Sequence, residues 1–307
     1  MLHCTHGCQL AWLHPQPSPV TLVAAYSQYY THHAPAPASS LRRLYNRMRH
    51  AYLCDRFAYP RLTTKLSTRI GGRLLALLPH RRAAFDSSIL WQTAIPGGKL
   101  LEIGCGNGGT LACLSDFGWQ TQGIEADPIA AKFARQRGLN VINGDAAAQT
   151  FNANTFDAII MSHVIEHVSD PAALIKRCHV WLKPGGHLTL LTPNFNALGH
   201  RLFKRHWLHL DAPRHLHIFS RNALTLMCRQ TGFTHTESTS TLRDANWTLA
   251  ASTALRMGRP YRIGQLTRLL RWVGMILLYC EYIAMLFAPD LGEDLLITSH
   301  KDKSTTC

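Results

Sequence analysis

Acidic residues are scarce in this chain. Only 18 Asp and Glu stand against 32 Lys and Arg in 307 residues, a formal charge of +14. The imbalance favours anionic partners: nucleic acid, anionic lipid or acidic metabolites. It is sharpest between Arg42 and Arg82, where Asp55 is the single acid. Paired cysteine spacing is also lacking. Nine cysteines, an odd number, are scattered along the chain. That pattern fits reduced thiols in a cytosol better than a disulfide framework. The start has no basic stretch leading into an apolar core, so no secretory signal is expected. Long apolar runs are missing too. Trp272 to Phe287 falls short of the ~20 residues a spanning helix needs, and Glu281 interrupts it.

Glycine, by contrast, is concentrated. Leu100-Leu101-Glu102-Ile103-Gly104-Cys105-Gly106-Asn107-Gly108-Gly109 is a short apolar run that breaks into a glycine-rich turn. Such a turn lets backbone pass close to a ligand at the end of a strand. Gly104, Gly106 and Gly109 satisfy the dinucleotide pattern G-x-G-x-x-G. Glu102, Gly104, Gly106 and Gly108 satisfy a second one, acidic-x-G-x-G-x-G. A dinucleotide would present only anion to the turn. A ligand with an ammonium and a carboxylate would suit both the Glu102 carboxylate and the free N–H groups.

The following segments alternate strand and helix. Trp119 to Ile124 reads as a strand ending at Glu125, which lies about 20 residues past the first glycine, the place from which a carboxylate accepts ribose hydroxyls. Asp127 competes for that role, although Asp127-Pro128 also reads as a helix start. Further strands are expected at 139–142, 155–161 and 187–194, with a helix from Pro171 to Leu182 and a turn at Lys183-Pro184-Gly185-Gly186. Thr234 to Leu242 and Asp294 to Lys301 read as the sixth and seventh strands. This alternation predicts an α/β fold in which ligands sit beyond the carboxyl ends of a parallel sheet.

From about Leu100 to Phe233 the chain resembles the class I S-adenosylmethionine-dependent methyltransferases. The supporting stretches are Leu101 to Gly106, Gly123 to Pro128, Val164-Ile165-Glu166-His167-Val168 and Leu182 to Gly186. Within that family it resembles the small-molecule branch of ubiquinone-type O-methyltransferases and methyltransferases of polysaccharide gene clusters. The resemblance implies a Rossmann-like seven-stranded, mostly parallel sheet with helices on both faces and an antiparallel last strand. It implies S-adenosyl-L-methionine held by Glu102, Gly104, Cys105, Gly106, Asn107, Gly108, Glu125, Ala126, Asp145 and His163. Asp145 would meet the adenine amino group, or would simply cap the next turn.

His163-Val164-Ile165-Glu166-His167 spells H-x-x-E-H, also found in inverted zinc peptidases. Its position after a core strand and before Ser169-Asp170-Pro171 argues against that chemistry. Some quinone O-methyltransferases carry Glu-x-x-Glu-His here with a divalent cation, but this chain has His163 in place of the first glutamate, and no metal is assigned. His163 is expected to point at the adenosine, with Glu166 and His167 fixing the loop. Residues 194–220, dense in histidine, arginine and tryptophan, resemble the lid of the polysaccharide-cluster branch. There His215 is the expected base, Asp211 its orienting carboxylate and Arg214 an anchor for an acidic acceptor, with His163 nearby. A basic surface loop around a buried Trp207 is the plainer alternative.

The organisation expected is a disordered tail at 1–40, a basic helical arm at 41–95, a methyltransferase core at 96–242, a helical insertion at 243–290 and a final strand and tail at 291–307. In the tail, His3, Cys4, His6 and Cys8 are a metal-binding pattern only in isolation. Arg262, Arg268 and Arg271 precede the apolar run, so 262–288 suits peripheral contact with an anionic membrane, or a core or dimer helix. That contact would match a small-molecule or lipid-linked acceptor. Tyrosines between the arginines of the arm do not exclude RNA. Two rivals stay open: a nicotinamide-dependent oxidoreductase, and a basic membrane or RNA adaptor on a methyltransferase shell.

Overall fold

The computed structural model describes residues 1–5, 7–18, 39–60, 65–259 and 266–303. His6, Arg262 and residues 19–38 of the expected tail lie outside them. In chain order the elements are β1 (Leu2–His3), β2 (Ala11–Trp12), α1 (Ser40–Arg56), α2 (Leu66–Leu75), α3 (Pro79–Ser87), β3 (Lys99–Ile103), α4 (Gly109–Asp116), β4 (Gln120–Glu125), α5 (Pro128–Gln136) and β5 (Val141–Asn143). They continue with β6 (Phe156–Ser162), α6 (Pro171–Trp181), β7 (Leu182–Pro193), α7 (Leu198–Phe203), β8 (His217–Ile218), α8 (Arg221–Gln230), β9 (His235–Thr241), α9 (Ala245–Arg256), α10 (Arg268–Phe287) and β10 (Asp294–His300).

Seven strands form the main sheet in the order β5-β4-β3-β6-β7-β10-β9. The first five are parallel, and β10 runs antiparallel to both neighbours. Side chains alternate across it, as the pleat requires. Leu100, Ala158 and Ile160 join one core with Leu53, Phe85 and Leu111, while Leu101, Ile103, Ile159 and Met161 join the other with Leu174 and Leu224. Both faces are therefore covered, which is why β3 and β6 read as continuous apolar runs. A third cluster joins Phe203 and Trp207 to Leu242, Leu249 and Leu278, and so ties the 194–220 segment to α9 and α10.

Two expectations are corrected. Residues 1–5 and 7–18 are not a structureless tail: β1 and β2 pair with each other, β2 pairs with β8, and the Ser220 hydroxyl donates to the Cys8 carbonyl. The turn expected at Lys183 to Gly186 is instead part of β7, which runs from Leu182 to Pro193. A register shift opposite Phe156 and Ala158 absorbs the Pro-Gly-Gly sequence.

The topology brings chemistry to one edge. The parallel strands deliver the glycine turn, Glu125, Ser162-His163 and Asn194 at their carboxyl ends. Because β10 is reversed, its first residue, Asp294, reaches the same edge opposite Pro193 and Thr241.

Candidate active site

The glycine turn is fixed by backbone bonds. Gly104 N and Cys105 N donate to the Ile124 carbonyl at 2.8 and 3.1 Å. Gly106 has φ +56° and open space where a Cβ would stand, so the chain lies bare there. A Cβ at Gly108 would meet Leu139 at 2.3 Å, which makes that glycine a packing requirement. Cys105 is buried, and the Asn107 carbonyl accepts from Arg137 at 2.7 Å.

Glu125 closes the turn from β4. Its carboxylate accepts from Gly106 N at 2.6 Å and Asp127 N at 2.8 Å. Asp127 caps α5 by accepting from Ile129 N, which leaves Glu125 as the strand-end acid beside exposed Ala126. Asp145, also exposed, accepts from Ala147 N and caps the turn after β5. Glu102 is different. It is 3% exposed, and its Oε2 has no hydrogen-bond partner. Burial, reinforced by the nearby Glu125 charge, pushes its pKa up to about 8. Such an acid is poised for a cation.

A charged cluster lies beside this turn. His163 has φ +54°, rare for a side-chain-bearing residue. Its Nδ1 is 3.4 Å from Glu166 and its Nε2 is 3.5 Å from Asp294. Burial alone would discharge the ring, but the Asp294 and Glu166 carboxylates outweigh it and hold an imidazolium, pKa about 10. Burial likewise opposes charge on Glu166, yet His163 and His167 bring it down to about 2. Both ring nitrogens of His163, expected to point at the adenosine, face carboxylates, and the ring stacks on His209. Glu166 accepts from the Thr192 hydroxyl at 3.0 Å and His167 donates to the Arg214 carbonyl at 3.0 Å, which together fix the loop.

The lid expectation is corrected in one respect. His215 is not oriented by Asp211. Its Nδ1 donates to the His209 carbonyl at 2.6 Å, whereas Asp211 lies 3.9 Å from Nε2 and pairs with Arg214 at 2.6 Å. Burial lowers the pKa of His215 to about 4, so the ring is neutral. Arg214 is thereby committed to Asp211 rather than presented to an acceptor. Trp207 is buried and donates to Glu293 Oε2 at 2.7 Å, while Gly199 N donates to Glu293 Oε1 at 2.9 Å.

Three residues that join this cluster were not assigned a role from the sequence: His209, Asp294 and Arg243. His209 Nε2 is 3.2 Å from the Thr248 hydroxyl. Arg243 donates to Ser162 Oγ at 3.0 Å, and its charge opposes the rise in the Glu102 pKa. The signal available was Glu293-Asp294 at the mouth of a strand in an acid-poor chain. Glu166, His167 and His215 also bring their donor atoms within 4.8 Å of one another. Two imidazoles steered by carbonyls and a carboxylate could hold a divalent metal ion, although His163 competes for the Glu166 carboxylate. Two open grooves, of about 660 and 700 Å³, lie elsewhere and are not lined by the glycine turn.

Residues 73–238, more than half of the chain, match the family model of a methyltransferase domain. The chain belongs to the class I S-adenosylmethionine-dependent methyltransferases. That match selects the acidic-x-G-x-G-x-G template over the dinucleotide one. The ubiquinone biosynthesis O-methyltransferase of Xanthomonas campestris pv. campestris is 34% identical over 110 residues, 34% of this chain and 46% of that one. The protein of the same name from Cereibacter sphaeroides is 30% identical over 147 residues, 45% of this chain and 60% of that one. The chain spans about half the length of these curated relatives. A putative Haloferax volcanii methyltransferase, solved with the Trm112 methyltransferase activator, shares the fold at TM-score 0.51 and 17% identity, over 76% of this chain and 93% of that one.

Proposed function

We propose that this protein transfers a methyl group from S-adenosylmethionine to an oxygen of a small or lipid-linked acceptor, in the cytoplasm and in peripheral contact with membrane. The observation that carries the donor assignment is the buried Glu102 carboxyl with an unsatisfied oxygen, beside backbone left bare at Gly106. A cationic amino acid end suits that acid, and the turn's N–H groups suit a carboxylate. Glu125 would take the ribose hydroxyls, and Asp145 with Ala126 would flank the base. When bound, the donor supplies an electrophilic methyl carbon on a sulfonium.

The protein's part is to orient the acceptor and to take its proton. His215 suits the second task. It is neutral, its Nδ1–H is tied to a carbonyl, and Nε2 is left as the basic nitrogen. At a pKa near 4 it is a weak base, so it takes the proton only as the new O–C bond forms. The His163 imidazolium is held between the Glu166 and Asp294 carboxylates, so its charge is spent on fixing the loop beside the site rather than on the acceptor.

Calorimetry with S-adenosylhomocysteine and with NAD tests the donor. Micromolar binding of the first and none of the second is expected; the reverse overturns the proposal. Mass spectrometry of what co-purifies beside His215, followed by turnover with a labelled methyl donor, tests the acceptor class. Labelled product at carbon or nitrogen rather than oxygen would refute that part.

A further inference from the structure

The most uneven surface of the molecule is the outer face of α10. Leu269, Trp272, Ile276, Ile283, Leu286 and Phe287 are all exposed, Trp272 by 70% and Phe287 by 86%. Their spacing draws one stripe along the helix. A second stripe follows on α2 and the turn after it: Leu66, Ile70, Leu74 and Leu77, the last 77% exposed. The two lie near each other, because His80 at the start of α3 meets Tyr279 of α10, Nδ1 to hydroxyl, at 3.4 Å. An apolar surface this extended on a monomer has a partner.

Charge identifies the partner. The acids on these three helices are Asp86 and Glu281, and both are buried. The solvent-facing charges are cationic: Arg73, Arg81 and Arg82 beside the α2–α3 turn, Arg268 and Arg271 at the start of α10. Arg73 also reaches the buried Asp55 of α1 at 2.9 Å. A second copy docked through this face would oppose arginine to arginine. An anionic bilayer would take the apolar stripe into its acyl boundary and the arginines at its phosphates.

The apolar run read as too short for a span lies in a 20-residue helix, Arg268–Phe287, which is long and apolar enough to cross a membrane. Its inner face argues that it lies flat instead. Leu270, Gly274, Leu278 and Glu281 are buried. A Cβ at Gly274 would stand 2.1 Å from the Asn246 carbonyl of α9, so the two helices meet backbone to backbone. Glu281 accepts from Glu293 N at 2.8 Å, and Glu293 in turn holds Trp207 and Gly199.

We infer that the α10 stripe and the α2–α3 turn form one docking face for an anionic phospholipid surface. Docking there sets the 194–220 segment roughly one helix diameter, ~10 Å, from the headgroups. An acceptor whose apolar tail stays in the bilayer could then present its polar head at the site; only this last step rests on the methyl-transfer reading.

The test is co-sedimentation of the full chain with vesicles of phosphatidylcholine mixed with phosphatidylglycerol, against phosphatidylcholine alone. Binding to the mixed vesicles that weakens with salt is expected. Arg268→Gln with Arg271→Gln should weaken it by about 30-fold, at roughly fivefold per cation. Trp272→Glu with Ile276→Glu should abolish it. Both pairs are exposed on α10, outside the glycine turn and the end of β4, so S-adenosylhomocysteine affinity should stay within ~twofold of wild type. Equal binding to both vesicle types, full binding by either variant, or a dimer in sedimentation equilibrium that Trp272→Glu dissociates would overturn the inference. Vesicle binding by protein that fails to bind S-adenosylhomocysteine would support this face and refute the donor reading.

Discussion

Replacing Glu102 by glutamine should make the protein more stable and a poorer binder of its donor. In the fold the carboxyl titrates near 8, raised from 4.5 mainly by burial and then by Glu125. The unfolded chain therefore releases this proton first. Between those two values the unfolded state holds fewer protons than the native one, so stability falls as pH rises. Below about pH 4.5 both forms are neutral and the penalty vanishes; above about 8 it is complete. At pH 7 the displacement corresponds to about 3 kcal/mol, an upper figure at 1.36 kcal/mol per unit. Glutamine never ionises and escapes the penalty. At about 2–4 °C per kcal/mol for a domain of this size, E102Q should melt roughly 6–12 °C higher at pH 7 and at the wild-type temperature near pH 4.5. Calorimetric melting of both proteins across pH 4–9, with S-adenosylhomocysteine titrations on the same samples, reads both effects. Binding to the wild type should release a proton below pH 8, because an ammonium beside Glu102 favours its ionised form. A variant that melts lower at pH 7, or binds the ligand more tightly, would refute the reasoning.

Glu125→Ala should weaken S-adenosylhomocysteine by at least ~1 kcal/mol, about fivefold, as a lost hydrogen bond to a charged group does; unchanged affinity in calorimetry would mean the ribose lies elsewhere. His215→Ala should lower kcat while S-adenosylhomocysteine affinity stays within ~twofold, and undiminished turnover would remove it from proton transfer. His163→Gln leaves Glu166 and Asp294 facing each other without their shared cation, which should cost ~3 kcal/mol by melting; a loss under ~1 kcal/mol would show that the ring carries no charge in the fold. Trp207→Phe deprives Glu293 of a donor and should cost ~1–2 kcal/mol, so an unchanged melting temperature would count against that bond.

The sheet was legible because its strands are buried on both faces. Leu100 to Ile103 and Phe156 to Met161 can only be core strands beside such turns, and the reversed last strand followed from the family resemblance. The Pro184-Gly185-Gly186 turn was misjudged because a bulge and a turn demand the same residues. The strands at Leu2–His3 and Ala11–Trp12 are two residues each, too short to show any period. At the site, the glycine turn and Glu125 are local in sequence and could be read. The His163 cation could not, because Asp294 arrives from a strand at the far end of the chain. Asp211 and Arg214 sit three apart, a spacing that favours their pairing with each other over any outside partner.

The placement of β10 orders events during synthesis. This strand completes the sheet between β7 and β9, yet it follows every other described strand in the chain. Until it emerges, two long edges stand open to unwanted pairing, and the positive ring at the end of β6 has lost one of its two counter-charges. A chain interrupted before Asp294 would lack the strand that bridges β7 and β9 and would leave both edges bare.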